Sequence, residues 1–116
     1  MREELLQYAR NQYGTEPEHL WASYPNYEVL RHASNNKWYG IIMDVERRKL
    51  DLPGEGRVDI AVVKARPEDV ALLREADGCL PAYHMNKQHW VSVLLDGSVE
   101  APCVFQLLDE SWALTK

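Results

Sequence analysis

The chain has 116 residues, a net charge of −5, and 46% hydrophobic against 27% charged residues, the proportions of one globular domain spanning residues 1–116. An acidic balance excludes a surface coated throughout in phosphate-binding side chains, and no apolar run reaches the ~20 residues that cross a bilayer. Met1-Arg2-Glu3-Glu4 is acidic where a secretory leader is basic and then apolar, so the cytoplasm is the expected location, with Cys79 and Cys103 as buried reduced thiols.

The first predicted element is an amphipathic helix over 3–13. Leu5, Leu6, Ala9 and Tyr13 share one face, Glu3 and Glu4 suit the positive end of the helix dipole, and Gly14 ends it. Thr15-Glu16-Pro17-Glu18 has the form of a capping box and predicts a second, short helix carrying Leu20 and Trp21, ended before Tyr24-Pro25. Strands follow over 27–32, 37–45 and 57–64. Ala33-Ser34-Asn35-Asn36 turns the chain between the first two, and Pro53-Gly54 with Gly56 breaks it before the third. Strict alternation along the second strand puts Trp38, Gly40, Ile42 and Asp44 on one face and Tyr39, Ile41, Met43 and Val45 on the other. Pro67 opens a helix over 66–76 that Gly78 ends; a further short strand falls around 80–84, another strand over 90–95, and a last helix over 102–113. This order predicts an α+β fold, a two-layer α/β sandwich with a mainly antiparallel sheet.

The chemistry concentrates in one stretch. Pro81-Ala82-Tyr83-His84-Met85-Asn86-Lys87-Gln88-His89-Trp90 holds two histidines, a lysine, an asparagine and two large aromatics directly before an apolar strand. Imidazole titrates near neutrality, but a spacing of five residues places His84 and His89 on opposite faces of an extended segment, with neither an orienting carboxylate nor a third ligand in view. Metal and cofactor are therefore expected to be absent, and no paired catalytic groups can be assembled. No phosphate loop, dinucleotide fingerprint or G-x-S-x-G motif occurs.

Binding fits these residues better than catalysis. Asn36-Lys37-Trp38-Tyr39 echoes Asn86 to Trp90: each places Asn-Lys at a turn and aromatics at a strand start. Residues 31–66 also carry eight basic and five acidic side chains, a local surplus of three positive charges on an acidic body. Arg31, Lys37, Lys64 and Lys87 are candidates for phosphate contacts. Asn36, Asn86, His84 and His89 would fix register, and Trp38, Tyr39, Tyr83 and Trp90 are candidates for base stacking. The alternative is a polar-aromatic pocket around 83–90 for a small anionic ligand or a peptide.

The chain resembles the MmcQ/YjbR family of small bacterial proteins. The matching stretches run in order along nearly its whole length: Tyr13 to Glu18, Tyr24-Pro25, Asn36 to Tyr39, Val58-Asp59-Ile60 with Lys64, Pro81 to Trp90, and Leu107-Leu108-Asp109 with Ser111. Ala65-Arg66 departs from the pattern, since a better helix cap often precedes the proline there. The resemblance implies a fold similar to CyaY and to type III secretion chaperones. It also implies a double-wing DNA-binding arrangement and a non-enzymatic, regulatory role, with DNA as the partner.

Overall fold

Three α-helices and five strands form in the computed structural model, which describes residues 1–116. In chain order they are α1 (Arg2–Tyr13), β1 (Glu28–Arg31), β2 (Trp38–Glu46), β3 (Arg57–Lys64), α2 (Pro67–Leu73), β4 (Cys79–Pro81), β5 (Trp90–Leu94) and α3 (Ala101–Thr115). A single 3-10 turn, Arg47–Leu50, follows β2. The strands make one sheet in the order β1-β2-β3-β5-β4, and every neighbouring pair is antiparallel. This is the expected α+β architecture.

The two faces of the sheet are covered differently. Leu5, Leu6 and Ala9 of α1 and Val104 and Leu108 of α3 pack on Leu30, Tyr39, Ile42, Ala61, Val63, Val91 and Val93. The other face, built on Val29, Ile41, Met43, Val45, Ile60 and Val62, carries no α-helix. It is closed by irregular chain: Trp21 and Tyr27 on one side, Leu50 and Leu52 on another, and Ala82 to Met85 on a third.

A bulge explains how β2 serves both faces. The pairing with β1 slips between Leu30↔Gly40 and Arg31↔Trp38, leaving Tyr39 without a partner residue. An extra residue lets two successive side-chain positions face the same way. Tyr39 and Gly40 both meet the helix layer, while Trp38 joins Ile41, Met43 and Val45 on the loop side. The face assignment from strict alternation is thus corrected at Trp38 and Tyr39. Gly40 is required by close approach: a Cβ there would lie 3.2 Å from both Leu108 and Leu30 side-chain carbons.

The predicted short helix after Thr15 does not form. Glu18 and Val29 exchange both backbone hydrogen bonds (3.0 and 2.9 Å), which holds this segment extended against β1. Thr15 is not a cap; its buried hydroxyl meets the Tyr39 phenol. α2 is shorter than expected: Pro67 opens it, no side chain caps it, and it ends at Leu73. Cys79 is buried, but Cys103 is exposed on α3, and both are free thiols.

Candidate functional site

The sheet topology gathers the sequence-predicted residues at one end. β1 ends at Arg31, β2 begins at Trp38, β3 ends at Lys64, β4 ends at Pro81 and β5 begins at Trp90. Because all pairs are antiparallel, these five termini share one edge, and Lys64 lies directly opposite Trp90. β1–β2 and β4–β5 are two hairpins whose loops, residues 32–37 and 82–89, leave the sheet at that edge with the end of β3 between them. Two inter-strand spacings separate β2 from β5, about 10 Å. At the opposite end lies Arg47-Arg48-Lys49, roughly 30 Å away along the nine residues of β2. The basic segment 31–66 is therefore split between both ends of the sheet.

Each loop is held by an asparagine, though not by the pair the echo suggested. The Lys37 N–H donates to Asn35 Oδ1 at 2.8 Å, and the Gln88 and His89 N–H groups donate to Asn86 Oδ1 at 2.8 and 3.1 Å. Asn35 and Asn86 are thus equivalent in role, the self-capping turn that Asn favours. Asn36 instead supplies the left-handed backbone of the first loop (φ 63°), and His84 does so in the second (φ 60°). With its Oδ1 so occupied, Asn86 has its amide N–H donors left for a ligand.

The other predicted residues divide into three groups. Lys37, Lys87, His84 and His89 are exposed, and Lys64 is half-buried; none of the three lysines forms an ion pair. Arg31 is engaged, its Nε donating to Glu18 at 2.8 Å. Tyr39 is removed from the site altogether. It is fully buried and T-stacked on Tyr13, and burial raises its phenol pKa, so it cannot stack on a ligand. The bulge that turns Tyr39 inward leaves Trp38 half-buried on the loop side, with Trp90.

Behind the first loop, buried His32 anchors the hairpin to α3. The Thr115 hydroxyl donates to the Ser111 carbonyl at 2.7 Å, so the proton in the 2.8 Å contact with His32 lies on Nε2. Burial lowers the pKa of His32. Ser111 continues the tie, donating to the Tyr39 carbonyl at 2.6 Å and accepting from the Lys64 N–H at 2.8 Å.

A cavity of about 250 Å³ lies on the loop-covered face. Its lining is Trp21, Tyr24, Tyr27, Trp38, Ile41, Met43, Tyr83, His84 and Met85. Only Trp38, Tyr83 and His84 were among the predicted site residues. Trp21 and Tyr24 come from the stretch predicted as a helix and its exit, and Tyr27 from the start of the first predicted strand, so spacing gives no hint that they face the second hairpin. The excess of Trp and Tyr (four and six) over Phe (one) was the available signal, since aromatics with one polar end favour clefts. The remaining residues of the stretch, Asn86 to His89, form the loop tip and do not line the cavity.

The structure thus defines a class: small α+β proteins in which one antiparallel sheet presents two hairpin loops at a single end. The family model described as YjbR matches residues 10–114, and the chain belongs to the YjbR family. It is 44% identical over 115 residues to the uncharacterised protein YyaQ of Bacillus subtilis, covering 99% of this chain and 98% of that protein. It is 27% identical over 110 residues to the uncharacterised protein YjbR of Escherichia coli, covering 94% and 81% respectively. Among solved structures, a Pseudomonas syringae protein superposes with a TM-score of 0.98 at 42% identity, covering 100% of this chain and 99% of that one. A Deinococcus radiodurans protein shares the fold at a TM-score of 0.74 and 24% identity, over 98% of this chain and 77% of that one. No helix is long and apolar enough to cross a membrane.

Proposed function

We propose that the paired-hairpin end of the sheet is a DNA-binding surface. Lys37, Lys64 and Lys87 would meet phosphates, while Asn36, the Asn86 amide, His84 and His89 would fix register. One observation carries this reading. Three lysines from three separate stretches of a chain with net charge −5 share one sheet end, and none is neutralised by a carboxylate. Cations left unpaired on an acidic body make a local positive field that an anionic backbone can use. Trp38 and Trp90, half-buried near the loop bases, add surface for sugar or base contact. Arg31 is held by Glu18, so the contacts number three. Fluorescence anisotropy with a labelled duplex across a salt series tests this: about three phosphate contacts give a log–log slope of roughly −2.7. A flat slope, or no binding at low salt, would overturn it.

A second reading, a binding module for a small ligand, is favoured by the aromatic cavity that Tyr83 and His84 help to wall. Thermal-shift screening reports on it, because a ligand at 100 times its Kd raises stability by about 2.7 kcal/mol. No stabiliser across a metabolite panel would count against it.

A further inference from the structure

Resting on that second reading, we infer that the aromatic cavity is a site for a small molecule bearing a quaternary ammonium head. Trp21 stands at 78° to Tyr27 and at 88° to Trp38, with ring centroids 5.8 Å apart in both pairs. The near-parallel pair, Tyr24 and Tyr27, is already stacked at 4.7 Å with no room for a third ring between them. A flat heteroaromatic ligand needs parallel plates with a gap. Walls meeting at right angles make a corner, which a compact, rounded group fills.

Charge selects among rounded groups. No lysine or arginine lines the cavity, and His84 is its one basic side chain. Two opposed charges near Tyr27, Asp44 and Arg57, pair with each other at 3.6 Å. The rest of the lining is Ile41, two methionines and five aromatic side chains. Ring faces carry negative quadrupole density, so they attract a cation and repel an anion, and desolvation in a small cavity strengthens this. The thioether-bearing Met43 and Met85 add polarisable, uncharged surface. The same lining gives an anion nothing to pair with, which separates this cavity from the lysines at the sheet end.

The polar rim suits a ligand with a short hydroxylated or carbonyl arm. The indole N–H groups of Trp21 and Trp38 and the phenols of Tyr24, Tyr27 and Tyr83 donate to no protein acceptor, yet none is a buried unsatisfied group. They are free donors on residues that line an apolar box, and a few such groups suffice to orient a small ligand. Burial first, then the neighbouring Tyr83 and Tyr24, holds the Tyr27 phenol protonated and able to donate.

The test uses choline, its uncharged carbon isostere 3,3-dimethylbutan-1-ol, and adenine as a flat ring, each titrated into the full chain while the four indole N–H signals are followed by NMR. Choline is expected to shift the Trp21 and Trp38 signals saturably and to leave Trp112 unmoved. The neutral isostere is expected to bind about fivefold or more weaker. Equal binding by the isostere, or preference for adenine, would overturn the cationic assignment while leaving a ligand site in place. No saturable shift from any of the three at tens of millimolar would overturn both. Tyr24→Leu, at a residue 51% exposed and so safe for folding, should weaken choline at least about threefold without changing the isostere's affinity. Equal loss for both compounds would count against the cation.

Discussion

The two faces of the sheet are closed by different means. On the helix-covered face the apolar layer is tied down by hydrogen bonds. Tyr8 and Tyr13 both donate to Asp109, joining α1 to α3, and Tyr8 stacks on Phe105 at 4.4 Å. Ser111 and Thr115 join α3 to β2, β3 and His32. On the loop-covered face, Trp21 meets Tyr27 and Trp38 edge to face and Tyr24 stacks on Tyr27, with no hydrogen bonds between these side chains; one tie, the Tyr83 N–H donating to buried Ser92 Oγ at 2.9 Å, holds the second hairpin, and a cavity remains. Polar ties in a low-dielectric layer fix one geometry; ring contacts without them leave room for a guest. The first face is interlocked by polar ties, and the second keeps a cavity of about 250 Å³.

Substitutions in each layer should separate these roles. Leu108 is buried and presses on Gly40, so Leu108→Ala should cost about 3 kcal/mol in urea unfolding. A loss below about 1 kcal/mol would mean that α3 repacks and the face is not interlocked. Ser111→Ala removes the bond to the Tyr39 carbonyl and orphans the Lys64 N–H. About 2 kcal/mol is expected, with faster amide exchange at Lys64 as the local signature. Tyr24→Ala, at the rim of the cavity, should cost less than about 1 kcal/mol. A larger loss would move the loop-covered face into the structural class.

Acidity gives a gentler probe of the helix-covered face. Burial lowers the pKa of His32 below its ordinary 6.5, so below that value the unfolded chain binds the proton more readily. Stability should be at its plateau above pH 6.5, fall as pH drops from there toward the lower native value, and level off beneath it. Stability–pH curves for the wild type and His32→Gln should differ in this limb. Parallel curves would mean that His32 is not the group responsible. Smallest of all, Lys37→Ala and Lys87→Ala should each change stability by less than about 0.5 kcal/mol, since both side chains are exposed and unpaired. A larger cost would make the loop tips architecture.

Periodicity made the helix-covered face legible. The α1 face of Leu5, Leu6 and Ala9, the Gly14 stop (φ 66°), and β3 over Arg57–Lys64 follow directly from spacing and turn chemistry. The loop-covered face was not legible, because what closes it is not periodic. Thr15 to Glu18 reads locally as a helix start, but backbone pairing of Glu18 with Val29, distant in sequence, overrides that preference. One bulge residue reassigns Trp38 and Tyr39 between faces, and alternation cannot reveal a bulge. The stretch from Pro81 to Trp90 has two parts that its composition does not separate: Tyr83 to Met85 wall a cavity, and Asn86 to His89 make a turn. Its partners Trp21, Tyr24 and Tyr27 lie some 60 residues earlier in the chain, and only the fold brings them together.

The central claim is that two hairpin loops at one end of the sheet act as a single surface for DNA. A titration of the isotope-labelled protein with a short duplex at low salt, followed amide by amide, tests it most directly. Shifts concentrated at residues 33–37, 64–66 and 83–90, fading together as salt is raised, are the expected result. Shifts centred on Arg47-Arg48-Lys49 at the far end of the sheet, or none in excess duplex, would contradict it.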